Sequence, residues 1–313
     1  MDILKTNVLS SVAFAAMAVL LLLSCTVRAG NPERDVVFPS EDRVIAEDVL
    51  SDMYRQKSIA ASQGKELSTA DLMMSAAGRL MGTPYVAGTL DSEWNGEQLR
   101  IFLTGTDCIL FVETCLDLAR TVVTAENPSD ASLDHFIDLV ASTRYRTPGP
   151  EYSYSDRIHY TTEWIRRQEG TAVKDITLDL GGVEHDHPLS FMSAHSDRYP
   201  ALCNPSINAD MKKDLEKIRK VEEELNREPY TVIPKDRMAS ALEKVRSGDI
   251  ICFVTDVPGL DISHVAIACV HDGRVGFIHA SMNEGKVVTD SRTIYEYVRS
   301  RRNLSGIKVV RPL

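Results

Sequence analysis

The first 125 residues carry apolar positions at three- and four-residue spacing, and the last 80 or so alternate with a period near two. The first pattern predicts helices and the second predicts strands. Val44, Ile45, Val49 and Met53 form a stripe that predicts a helix over about 41–56. Ser68 and Asp71 supply a capping box ahead of Leu72, Met73, Ala76, Ala77 and Leu80, a helix that should stop near Gly82-Thr-Pro84. The polar, glycine-containing run 85–100 reads as an exposed loop. Cys108, Phe111, Val112, Cys115, Leu116, Ala119, Val122 and Val123 then mark a mostly buried helix, with Thr106 or Asp107 able to cap its start.

Residues 129–234 are less regular. Short helices are expected over 133–141 and 158–166, a strand over 175–180, and a long amphipathic helix over 208–228 with Met211, Leu215, Ile218, Val221 and Leu225 on one side. A short helix over 236–245 leads into strands at 249–255, 264–270, 274–281, 286–289 and 306–311. Helices followed by an antiparallel sheet make an α+β fold.

Asp272-Gly273 is a strong two-residue hairpin turn. If these two residues form the loop, His271 faces Arg274, position 264 faces 281 and 266 faces 279. His264, Ala266, His279 and Ser281 then share one face, and the two histidines become diagonal neighbours with Cβ atoms roughly 6–8 Å apart. A one-residue slip would separate them. Both faces of the hairpin are apolar, so it should be central and covered on both sides, and buried imidazoles there need polar partners.

With 313 residues and 43% hydrophobic content, the chain can bury a substantial core. A net charge of −10 and the lack of a dense Lys/Arg block argue against a nucleic-acid partner. The amino terminus changes the compartment. Lys5 precedes an apolar run from Val12 to Leu23, as in a secretory signal over 1–25. Leu22-Leu23-Ser24-Cys25 resembles a lipoprotein box with Cys25 as the lipidation site, while Val27-Arg28-Ala29 resembles an ordinary cleavage site. Residues 26–40 read as a linker, and 41–313 as a single catalytic domain with an insertion at about 129–234. The chain is expected to be exported and periplasmic, held to the membrane if Cys25 is acylated. Cleavage leaves five cysteines, at 108, 115, 203, 252 and 269, so at least one cannot pair within the chain.

Cys108 sits at a helix amino terminus, where free N–H groups and the helix dipole lower a thiol pKa and can hold an oxyanion. Cys115, two turns inside, is a core side chain beyond disulfide reach of Cys108. If the helix packs end-on against the hairpin, Cys108, His264 and His279 form a nucleophile, its base and an orienting group for acyl transfer, with no metal or cofactor. A zinc site built on His185 and His187 with His195, His159 or Cys203 is a competing assignment, as is a non-catalytic cell-wall-binding protein.

Asp107-Cys108 at the head of an apolar helix, Ser263-His264-Val-Ala-Ile267 on one strand and Phe277-Ile-His279-Ala-Ser281 on the next resemble the three motifs of the NlpC/P60 superfamily of bacterial cell-wall hydrolases. That resemblance implies a papain-like core with a central antiparallel sheet packed against helices, and a Cys108, His264, His279 triad. Gly82-Thr-Pro-Tyr85 resembles the segment that puts a tyrosine beside the active site. Together with Val86-Ala-Gly88 and Phe111-Val-Glu113, the pattern is most similar to the DUF1460 branch, whose members are N-acetylmuramoyl-L-alanine amidases with a preference for anhydromuramoyl peptides. Ile109-Leu110 stands where the commoner pattern has Ser-Gly, which disfavours the usual endopeptidase. The implied substrate is a muramoyl peptide or peptidoglycan fragment. Tyr85 and Asp107 are expected beside the reacting carbonyl, and Tyr160, Glu163 and Trp164 are expected to wall the substrate.

Overall fold

The computed structural model describes residues 36–91 and 96–313; the expected signal segment, Cys25 and the expected linker up to residue 35 lie outside the described residues. The linker ends earlier than expected. Strand β1 (Val36–Val37) pairs in parallel with β2 (Leu99–Arg100), and α1 (Ser40–Ser62) follows at once. Helix α2 (Thr69–Arg79) opens on the Ser68–Asp71 capping box read from the sequence. Helix α3 (Cys108–Val123) is capped by Asp107, whose carboxylate accepts the Leu110 N–H at 3.0 Å. Helix α4 (Leu133–Arg144) supplies partners for two acids buried in α3. Arg144 donates to Glu113 at 3.1 and 3.2 Å, and Thr143 donates to Asp117 at 2.9 Å. A helix buried on nearly every side can keep such residues because each is bonded.

The middle of the chain adds α5 (Thr161–Gln168), β3 (Val173–Asp175), β4 (Val183–His185), α6 (Phe191–Ala194), α7 (Pro200–Cys203) and α8 (Met211–Leu225). The strand expected over 175–180 is short and lies earlier, because the backbone turns after Asp175, where Leu180 N–H bonds the Ile176 carbonyl and Gly181 N–H that of Leu178. Tyr154, Tyr160, Leu189, Met192, Ala201, Leu202, Ile218 and Leu225 pack into a small core of their own.

The carboxyl-terminal part gives β5 (Tyr230–Pro234), α9 (Met238–Leu242), β6 (Ile250–Thr255), β7 (Ile262–His271), β8 (Arg274–Ser281), β9 (Lys286–Thr289), α10 (Ile294–Arg299) and β10 (Leu304–Pro312). The sheet runs β4-β5-β10-β6-β7-β8-β9, with β3 also on β10, and all its pairings are antiparallel. Asp272 and Gly273 form the tight turn, with φ of 48° and 74°, and His271 faces Arg274. From Ile267↔Ile278 outward the register is the one the turn dictates. The ladder is recorded no further inward: there His264 pairs with Phe253 on β6, and His279 with Val288 on β9.

The sheet separates two cores. Val265, Ile267, Ile278 and Ala280 join the cluster built with α1 to α4; Ala266, Ala268 and Phe277 join the one capped by α9 and α10. Among the described residues no helix is long and apolar enough to cross a membrane.

Candidate active site

Helix α3 packs on β7 and β8 with its first residue at a cavity. The loop before it is strapped from two sides. Buried Asp42 of α1 accepts the N–H groups of Leu103 and Thr104 at 2.7 and 2.6 Å, and Thr106 N–H bonds the Pro84 carbonyl. Val86 N–H returns a bond to Thr106, and Tyr85 N–H bonds Gly285 of the β8–β9 turn. A Cβ at Gly105 would meet the Val86 side chain at 2.9 Å, so the two segments cross closely here. The start of the presumed 85–100 loop is therefore tied down beside Cys108, by backbone contacts that composition does not reveal.

Cys108, Ser263 and His264 stand where two cavities meet. The larger, 540 Å³, also takes in Tyr85, His279, Asp290, Arg292, Tyr297, Arg301 and Asn303. The smaller, 220 Å³, is walled by Tyr160, Trp164, Arg144 and Arg157. His264 Nε2 lies 2.7 Å from His279 Nδ1, with the rings edge to face at 4.9 Å. The pair is packed among Phe253, Phe277 and Tyr297. His279 Nε2 has no normal hydrogen bond, and Asp290 Oδ2 lies 3.4 Å from it, an electrostatic contact. Arg292 grips Asp290 through two 2.8 Å bonds. Neither Asp290 nor Arg292 was singled out from the sequence; an acid following a strand gives no signal of which imidazole it will meet.

The network assigns the proton positions. Ionised Asp290 only accepts, so His279 carries its proton on Nε2 and accepts at Nδ1. His264 must then donate from Nε2, which leaves its Nδ1 bare. Burial, then the His279 charge and Arg301, push the His264 pKa down to about 3. Burial brings His279 to about 4, with Asp290 acting in the opposite sense and Arg292 and Arg301 adding to the fall. Asp290 is held below the usual carboxylate range; burial works upward, but its bonds to Arg292 outweigh it.

The thiol corrects an expectation. Burial, reinforced by the Asp107 carboxylate, pushes Cys108 up to about 12, although backbone N–H groups of Val265, Ile109 and Cys108 itself work the other way. Removal of solvent outweighs the helix terminus, so the resting site holds a neutral thiol beside neutral imidazoles. Burial and the same two neighbours raise the Tyr85 phenol. Cys115 is fully buried in the core.

The expected substrate walls divide. Trp164 is 3% exposed and lines the smaller cavity, and among the described residues its buried indole N–H has no hydrogen-bond partner. Tyr160 lines it as well, but its hydroxyl donates to Glu222 at 2.7 Å and accepts the Met192 N–H at 3.0 Å. Glu163 is turned away, clamped by Arg146 at 2.5 and 2.6 Å and by Arg167 at 2.8 Å. A buried carboxylate on α5 meets these arginines before it can reach the cavity. Three of the four histidines of the zinc assignment are bonded to backbone, His159 to Tyr154, His187 to Leu260 and His195 to Phe191, and the His185 ring stacks on that of His187 at 5.9 Å. Among the described residues, no three His, Cys, Asp or Glu side chains converge as a metal site.

The model of the AmiA-like family, described as N-acetylmuramoyl-L-alanine amidase-like, matches residues 75–307. An N-acetylmuramoyl-L-alanine amidase from Bacteroides uniformis is 28% identical, with a TM-score of 0.69 over 78% of this chain and 99% of its own. A Bacteroides fragilis protein provisionally named a xylanase is 30% identical, with a TM-score of 0.66 over 76% of this chain and 99% of its own. A Legionella pneumophila protein of the DUF1460 family shares the fold at 20% identity, with a TM-score of 0.61 over 86% of this chain and 96% of its own. No curated protein matches.

Proposed function

Because the chain belongs to the AmiA-like, N-acetylmuramoyl-L-alanine amidase-like family, we propose that it is a cysteine amidase. It would hydrolyse the bond between the lactyl group of an (anhydro)muramoyl sugar and L-alanine, on a papain-like core of the NlpC/P60 kind. The observation that carries this reading is the 2.7 Å contact between His264 Nε2 and His279 Nδ1, in a cavity that Cys108 also lines.

The starting state is a neutral thiol and a neutral base, so attack and proton transfer proceed together. Cys108 Sγ adds to the lactyl carbonyl while its proton passes to His264 Nδ1. The positive charge that forms is delocalised toward His279 and balanced by Asp290; the long 3.4 Å contact is of the kind that shortens when charge develops. The N–H groups around the sulfur, with the protonated Tyr85 hydroxyl, are the candidate donors to the oxyanion. His264 then protonates the alanine nitrogen, the C–N bond breaks and the peptide leaves. Water, deprotonated by the same imidazole, releases the thioester. Asp107 acts by capping α3 and by raising the thiol pKa, rather than by touching the carbonyl.

Cys108→Ala should abolish release of intact stem peptide from a purified anhydromuramoyl peptide, measured by mass spectrometry, without loss of the folded spectrum; persistence of turnover rejects the mechanism. Cleavage within the peptide instead of at the sugar would identify an endopeptidase with the same three residues. A glycosidase, as the xylanase name of one relative invites, needs a carboxylic acid with a raised pKa. The smaller cavity's acid, Glu113, is raised by burial but spent on Arg144 at 3.1 and 3.2 Å, and of the larger cavity's acids Asp290 is held down by Arg292 and Glu284 is exposed. We further propose export to the periplasm with lipidation at Cys25; Cys25→Ala should release the protein from the membrane fraction, and unchanged fractionation would refute the anchor.

A further inference from the structure

Two arginines line the larger cavity, and they are in opposite states. The charge of Arg292 is consumed by Asp290 through paired 2.8 Å bonds. Arg301 is half-buried, and its guanidinium lies 3.6 Å above the Tyr297 ring. Among the described residues that guanidinium has no hydrogen bond and no acidic partner. Stacking fixes the plane of the fork while leaving its N–H edge unspent, a geometry suited to a planar carboxylate. Asn303, at the same wall, adds an exposed carboxamide with no intramolecular bond of its own among the described residues. The other acid of this cavity, Glu284, lies on the exposed β8–β9 turn and is not paired with Arg301.

The smaller cavity has the opposite character. Its arginines are already paired, Arg144 with Glu113 and Arg157 with Asp91, so its cationic side chains are spent. An uncharged sugar suits that side. In a muramoyl peptide the lactyl carboxyl is consumed in the amide, so every free carboxylate lies on the peptide.

We infer that Arg301 anchors a carboxylate of the leaving peptide in the larger cavity and thereby sets both the orientation of the substrate across Cys108 and a preference for acidic over amidated peptides. This rests on the amidase reading. Arg301 lies close enough to oppose protonation of both His264 and His279, so a bound carboxylate would also offset its repulsion of the imidazolium formed in the reaction.

The test compares two anhydromuramoyl dipeptides that differ only in whether the second residue is D-glutamate with both carboxylates free or its fully amidated form. The readout is the acid-to-amide ratio of kcat/KM, which cancels any general effect of the lost charge on the imidazoles. Wild-type protein should favour the acid by about tenfold or more, Arg301→Met should bring the ratio to about one, and Arg301→Lys should keep part of the preference. An equal rate on both substrates in wild type, or a preference unchanged in Arg301→Met, overturns the anchor. Binding of the same pair to Cys108→Ala separates the two claims. No hydrolysis by wild type with preserved discrimination in binding refutes the amidase and upholds the anchor. No discrimination in either assay refutes the anchor whatever the hydrolysis.

Discussion

The insertion and the cleft both bury polar side chains, but they use them differently. Much of the insertion matches such groups within the chain: Glu163 with Arg146 and Arg167, Tyr160 with Glu222 and Met192, and Asp214 with Ser155 at 2.5 Å and Asn208 at 2.7 Å. In the cleft, matching stops one atom short. The His264–His279 contact uses Nε2 and leaves Nδ1, and among the described residues the stacked Arg301 guanidinium has no acidic partner. A closed network holds a fold together, whereas one that ends in a spare acceptor or donor facing a cavity is prepared for something outside the chain.

Three changes would break or sharpen that contrast. The largest effect should come from Asp290→Asn. An amide can donate to His279 Nε2, which reverses the proton order and places a hydrogen on His264 Nδ1, where the thiol needs an acceptor. A fall in kcat of about 10²–10⁴ with little change in KM is expected, and nitrogen-15 shifts of the His264 ring should report the exchanged tautomer. An unchanged tautomer would remove Asp290 from the relay.

Glu163→Ala should instead act on the fold. It leaves the half-buried Arg146 without its carboxylate and should cost about 1–3 kcal/mol in urea unfolding, with activity falling only as the folded fraction falls. A loss of kcat in fully folded protein would return Glu163 to the substrate wall.

The smallest and most diagnostic effect is on pH. Only neutral His264 can accept the thiol proton, and both imidazoles are held well below the ordinary histidine pKa of about 6.5, at about 3 and about 4. kcat/KM should therefore stay level from pH 8 down to about 5 and fall only at lower pH. A limb centred near 6.5 would mean that the pair is wetter and less buried than its aromatic surroundings imply.

Much of the site was already legible along the chain. The Asp272-Gly273 turn dictates the hairpin register, and the registered hairpin puts His264 and His279 on one face. The apolar spacing after Asp107 places Cys108 first on a buried helix, and Ser68 with Asp71 starts the helix before it. These follow from backbone rules that reach only a few residues: turn chemistry, side-chain period and capping.

Local rules along the chain thus set the helix and hairpin that carry the site and which of their side chains share a face. The tertiary structure decided everything that depends on solvent and on distant charge. It fixed the tether of Tyr85 between Thr106 and Gly285, the choice of Asp290 as the acid at His279, the spending of Glu163 on Arg146, and the idle fork of Arg301. It also reversed the thiol: the helix terminus alone argues for a low pKa, and burial against the sheet raises it to about 12. Desolvation is set by how many atoms from remote segments surround a group, and no local spacing in a chain records that number.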